Sequence, residues 1–246
     1  MNNPLLDEQG LPRFSAIRPE HVEPAVQHTL ERNRTELEEL LRATAEPDFA
    51  NAIVPIEDML DRLHRAWAPV NHLNMVANSD ELRDAYNACL PLLSNYTTEL
   101  AQDERLFQLY AQVNATCEDQ GSVEAKLIEH GLRDFHLAGV DLPAEKKARF
   151  KAAVAELTQL QARFEQNLLD EMAAWSYHVT DPDRVAGIPA AVLAQASRQA
   201  EAAELDGWLI KLDQPTYVAI LTHAEDRQLR EKFLGQAIQK SNIKGQ

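Results

Sequence analysis

Apolar residues recur at three- and four-residue intervals along most of the chain, the period of an amphipathic helix rather than a strand. Pro19 suits a first helical position, and Val22, Val26, Leu30, Leu37 and Leu41 mark one face up to about Ala45. A second helix is expected from near Asn51, with Pro55 tolerated in its first turn. Its face carries Ile53, Ile56, Met59, Leu60, Leu63, Trp67 and Val70, and Pro69 should kink it. Ser79 can cap a third helix that runs to about Gln102 through Tyr86, Cys89, Leu93 and Tyr96, with another kink at Pro91. Asp103 caps a shorter helix containing Leu106, Phe107, Tyr110 and Val113, which Gln120-Gly121 breaks. Ser122 caps the next, and Gly139 should close it in the left-handed conformation. The longest helix runs from Pro143 to about Trp175. Phe150, Val154, Leu157, Leu160, Phe164, Leu168 and Met172 form its expected inner face.

Beyond Trp175 the period shortens to two. Ser176 to Thr180 and Trp208 to Leu212 alternate and are expected to pair as a small antiparallel ribbon, with a turn at Asp206-Gly207. Helices are expected again at 189–203, 216–222 and 225–238. Residues 1–18 lack periodicity, yet carry Leu5, Leu6, Leu11, Phe14 and Ile17, which reads as an extended arm packed on the body. No fixed-period repeat is present. The fold class is therefore mainly α: an irregular bundle of long antiparallel helices with a two-stranded ribbon within 176–212. We expect a helical domain over 1–175, the start of a further subdomain over 176–238 and a tail over 239–246.

Composition supports this picture. Eight glycines and a 6% aromatic share are too few for a sandwich or barrel. The formal charge of −15 repels phosphate backbones, and no basic stripe interrupts it, so nucleic acid is not expected as a partner. No apolar run approaches the ~20 residues that cross a bilayer, and the first residues lack the basic and apolar regions of a signal peptide. A cytoplasmic location, with no membrane partner, is the expectation. Cys89 and Cys117 have no CxxC spacing, so neither a disulfide framework nor a zinc knuckle is expected.

The chain carries no catalytic constellation. A common zinc hydrolase places two histidines on one helix face as HExxH, with the glutamate as base. None of His21, His28, His64, His72, His130, His136, His178 and His223 begins that motif. Asp61 and His64 form a DxxH pair, but a di-iron bundle needs two ExxH elements and two further glutamates. His130 and His136 belong to different helix faces and read as cap or surface residues. Neither a nucleophile elbow nor a phosphate-binding loop is present. Cys89 lies on an apolar stripe and reads as a buried structural thiol. The run Trp67 to Asn74 surrounds a proline with aromatic, imidazole and amide groups. His72 or Asn74 is expected to serve carbonyls freed by Pro69 rather than to bind substrate.

An ordered set of segments resembles the N-terminal region of the thimet-oligopeptidase-like (M3) zinc metallopeptidases, in particular a bacterial oligopeptidase branch. It comprises Asn3-Pro4-Leu5-Leu6, Phe14-Ser15-Ala16-Ile17-Arg18-Pro19-Glu20-His21-Val22, Val70-Asn71-His72-Leu73-Asn74 and Asn78-Ser79-Asp80-Glu81-Leu82-Arg83. It continues through Leu90-Pro91-Leu92-Leu93-Ser94, Leu132-Arg133-Asp134-Phe135, Leu142-Pro143, Phe164 to Asp170 and Leu229-Arg230-Glu231-Lys232-Phe233. The resemblance implies a cytosolic metalloendopeptidase acting on short peptides, including cleaved signal peptides, with two helical halves around a deep channel. It places the zinc ligands and general base in a C-terminal portion that this chain lacks. No catalytic or metal residue of the family maps onto a position here, so catalytic residues: none; metal ligands: none; zinc belongs to the full-length enzyme. The chain is thus expected to form an inert channel wall whose partner is the missing portion; a free-standing helical peptide- or protein-binding scaffold is the alternative. From Leu234 the sequence departs from the family pattern, which suggests a truncated or frameshifted reading frame or an excised fragment.

Overall fold

The apolar periods are realised as nine α-helices and one two-stranded sheet among the residues that the computed structural model describes, 3–8, 10–119 and 121–241. The chain divides into two compact units, Met1–Ala162 and Arg163–Gln246. Gln120 of the expected helix break, the side chain of Met172 and the tail from 242 onward lie outside the described residues.

In the first unit, α1 (Pro19–Ala43), α2 (Val54–Val76) and α3 (Asp80–Ala101) pack together. Val22, Val26 and Leu30 on α1 meet Leu63 and Val70 on α2 and Tyr86, Cys89 and Tyr96 on α3. Each such side chain withdrawn from water contributes about 1.5–3 kcal/mol. Farther along, α1 and α2 enter a second cluster. There Leu37, Ile56 and Met59 pack with Leu106, Tyr110 and Val113 of α4 (Glu104–Thr116) and with Ile128 and Phe135 of α5 (Val123–Leu137). Phe135 stands edge-on to Tyr110, ring centroids 5.2 Å apart.

Where α1 passes from one cluster to the other it carries a buried asparagine. The Asn33 amide donates to the Met59 carbonyl on α2 at 2.7 Å. The amide oxygen accepts from Arg62 at 3.0 Å, and Arg62 also reaches Glu36 at 2.9 Å. Burial alone would raise the Glu36 carboxyl, but hydrogen bonds from Arg32 and Arg62 outweigh this and hold it below the usual carboxylate range.

Helix ends follow the expected chemistry. Ser79 accepts from the Leu82 amide, Ser122 from Ala125 and Asp103 from Arg105. Gly139 adopts φ +83°, with its amide on His136 and the Val140 amide on Phe135, the paired bonds of a Schellman end. The start of the second helix differs from expectation. A π-helical turn, Phe49–Ile53, precedes α2, and Asp48 caps it by accepting from Asn51 at 2.7 Å. Helix continues through both Pro69 and Pro91.

The N-terminal residues form two short 3-10 turns, Pro4–Leu6 and Phe14–Ala16, rather than an extended run. Asn3 ties them to α1 by donating to the His21 carbonyl at 2.8 Å. Leu5 and Ile17 are buried, whereas Leu11 is exposed.

The longest helix, α6 (Ala144–Ala174), corrects the sequence reading most clearly. Its first-unit contacts include Lys147 with Glu104 at 2.7 Å, Lys151 with Glu99 at 3.3 Å and Thr158 with Ser94 at 3.5 Å, and Ala162 is buried. Leu157, Leu160, Phe164 and Leu168, expected inside, are 54%, 53%, 61% and 36% exposed. The apolar period identifies a face suited to burial, but it does not say that this chain supplies the cover.

In the second unit, β1 (Ser176–Val179) and β2 (Trp208–Lys211) pair antiparallel, with Tyr177 opposite Ile210 and Val179 opposite Trp208. Around them, α7 (Ala190–Ala202), α8 (Gln214–His223) and α9 (Arg227–Ser241) enclose Val179, Ile188, Ile210, Ile220, Leu229 and Phe233. Gly207 leads into β2 at φ +84°, and a Cβ there would lie 2.3 Å from the Val179 carbonyl oxygen.

Three substitutions test this packing. Arg62→Met leaves the buried Asn33 oxygen short of a donor and should cost about 1–3 kcal/mol at neutral pH, measured by urea unfolding. Because the Glu36 carboxyl is depressed in the fold, its share of stability is present above the unfolded value and is lost as pH falls through the folded one. The deficit of Arg62→Met should therefore narrow through the acid range and level off at the Asn33 contribution. Gly207→Ala should destabilise by about 2–4 kcal/mol through strain and collision. Gly235→Ala, on α9 with nothing within 4 Å of a new Cβ, should instead raise stability by up to about 1 kcal/mol.

Candidate functional site

The Trp67–Asn74 segment lies on α2, where most of its side chains join the first core cluster or the arm. Trp67 stacks on Tyr86 at 4.8 Å, and the Tyr86 hydroxyl donates to Asn71 at 3.1 Å. The His72 ring faces Phe14 of the arm at 5.5 Å. Asn74 is buried, and among the described residues its amide oxygen meets no hydrogen-bond donor. Phe14 and His72, their rings tilted by 60°, both line a recess.

That recess, about 350 Å3, is bounded by Leu5, Phe14 and Ile17 of the arm and by His64, Pro69 and His72 of α2. Its charged neighbours are already engaged: Arg65 pairs with Asp61 at 2.5 Å, and Asp7 pairs with Arg13 at 3.2 Å. The two imidazoles lie on α2, and the Asp7 carboxylate that shares the recess with them is paired with Arg13.

The remaining candidates are dispersed. Asp61 turns to Arg65 one helical turn away instead of to His64, which dissolves the DxxH pair. His136 meets the Asp141 carboxylate just beyond the end of α5, and its ring stands against Phe107 at 5.0 Å. His130 is exposed on the same helix. Burial, with a smaller contribution from Glu23, pushes the Cys89 thiol up to about 12, so it is not a nucleophile at neutral pH. Cys117 is half-buried, and neither cysteine is in a disulfide. Among the described residues no three His, Cys, Asp or Glu side chains converge as metal donors. The described residues therefore do not fit a zinc ion.

Among the described residues, no helix is long and apolar enough to cross a membrane. What the structure exposes instead is surface. Besides the α6 stripe, Met75 and Val76 at the end of α2 stand largely in water. Sequence reasoning found the α6 residues but assigned them to the interior; the only available signal, their period, is the same for a covered and an uncovered face.

Comparison with known proteins accounts for this arrangement. Residues 26–147 match the model of the Neurolysin/Thimet oligopeptidase N-terminal domain. Over 237 residues the chain is 42% identical to oligopeptidase A of Haemophilus influenzae, which covers 95% of this chain and 34% of that protein. Oligopeptidase A of Escherichia coli is 40% identical over 238 residues, 95% of this chain and 35% of its own length. A probable cytosolic oligopeptidase A of Arabidopsis thaliana is 30% identical over 240 residues, 94% of this chain and 34% of that protein. The chain thus spans about a third of the length of the curated relatives it matches. It belongs to the thimet-oligopeptidase-like (M3) metallopeptidase family and corresponds to the N-terminal domain of its oligopeptidase A branch.

Proposed function

We propose that this chain is the channel-wall portion of an oligopeptidase A-like zinc metalloendopeptidase, inert alone, whose chemistry resides in the remaining two thirds of the enzyme. The observation that carries this reading is the alignment itself. Similarity to oligopeptidase A extends over 95% of the chain, while the chain accounts for only 34–35% of those relatives. The absence of HExxH from the 246 residues supports it. The zinc ion, its ligands and the general base then belong to the portion beyond the match.

In this role the wall contributes selection rather than catalysis. Long helices joined by short connections form a stiff surface, and a stiff wall admits an unstructured peptide while refusing a folded domain. Short peptides and the C-terminal portion are the partners. The net charge of −15 disfavours nucleic acid, and the cytoplasm is the proposed location, by analogy with the relative named as cytosolic.

The purified chain, supplied with zinc and a quenched fluorescent peptide, should show no turnover. Co-expression with the C-terminal two thirds of the Escherichia coli relative should restore chelator-sensitive cleavage. Chelator-sensitive turnover by the chain alone, copurifying with it, would overturn the proposal.

A further inference from the structure

The N-terminal arm is fastened at its two ends and exposed between them. At one end Leu5 is buried, Pro4–Leu6 packs on both α1 and α2, and Asn3 donates to the His21 carbonyl. At the other Ile17 is buried, and the Arg18 guanidinium donates to the Ser15 and Ile17 carbonyls at 2.9 and 3.0 Å. Asp7, Glu8 and the residues from Gly10 to Ala16 are exposed, Leu11 by 89%. This stretch is braced within itself. Asp7 pairs with Arg13 at 3.2 Å, and the Ala16 amide donates to the Arg13 carbonyl at 2.9 Å. Its Gly10, Pro12 and Phe14 line the recess across from His64, Ala68 and His72 of α2.

Glu8 ties the stretch to both helices beneath it. Its carboxylate reaches Arg32 of α1 at 2.5 Å and Arg62 of α2 at 3.6 Å. Both arginines are also held by Glu36, at 2.7 and 2.9 Å. They therefore keep a partner when Glu8 leaves, so its release strands no buried cation. We propose that the exposed stretch of the arm is a lid over the recess, latched by Glu8, which lifts while Asn3–Leu6 and Ile17 stay docked. Lifting gives up the Phe14–His72 contact but leaves the buried anchors in place. Exposed ion pairs are weak and screened by salt, and a segment with little buried apolar surface opens locally at small cost. An added Cβ at Gly10 would meet nothing within 4 Å, so the lid has open space around its turn.

Thiol labelling of the 246-residue chain tests the lid. Ala68→Cys places a thiol in the recess, and its reaction with a bulky fluorescein maleimide is followed by peptide mass spectrometry. Adding Glu8→Gln should leave the circular dichroism spectrum and melting point unchanged yet speed labelling of that thiol by roughly three- to tenfold. Raising sodium chloride from ~0.05 to ~1 M should speed it in the Ala68→Cys chain and close most of the gap to the double variant. Labelling of Cys89, buried in the first core cluster, should not change. Equal labelling with and without Glu8→Gln, or salt acting alike on both chains, would overturn the latch. A parallel rise at Cys89 would also overturn it, because the core rather than a lid would then be opening.

Discussion

The first unit depends on how α1 and α2 are held together where their two cores meet. Apolar contacts alone would let long helices slide by a turn, because one stripe of leucines and valines resembles the next. Asn33 removes that freedom. Its buried amide needs both a carbonyl and a donor, and only the register that offers Met59 and Arg62 supplies them. A slipped register would bury a polar group without partners, a cost comparable to losing one of the apolar contacts outright. Register then propagates: α3 packs against both helices in the first cluster, and α4 and α5 close on their far ends in the second.

Much of this was legible in the sequence, because it is governed by local rules. The caps at Ser79, Asp103 and Ser122 and the left-handed Gly139 depend on residues close in the chain, and each strand of the ribbon, Ser176–Val179 and Trp208–Lys211, shows in its own alternation. The π-helical turn at Phe49–Ile53 was not legible, since its pattern is the same as that of an ordinary helix start and only the Val54 amide, bonded five residues back to the Phe49 carbonyl, reveals it. Asn33 was passed over because a polar residue on a helix gives no sign of its partner on another. The exposure of the α6 stripe was invisible for a deeper reason: periodicity marks a face suited to burial and carries no sign of what lies against it.

The candidate site is instructive for similar reasons. His64, Asp61, His136 and Cys89 each carry chemistry by type, and each is diverted by a neighbour or by burial: Arg65 takes Asp61, Asp141 takes His136, and the core takes Cys89. The structure spends its polar side chains on fixing helices, and the relatives, about three times as long, have room elsewhere for reaction chemistry.

The two cysteines give the molecule an internal gauge of its own opening. Cys89 is wholly enclosed in the first core cluster, and Cys117 sits half-covered just past the end of α4. An alkylating reagent meets the second through small local movements, but reaches the first only when α1, α2 and α3 part. The ratio of the two labelling rates therefore separates fraying of the surface from breathing of the core, within one chain and without any introduced probe.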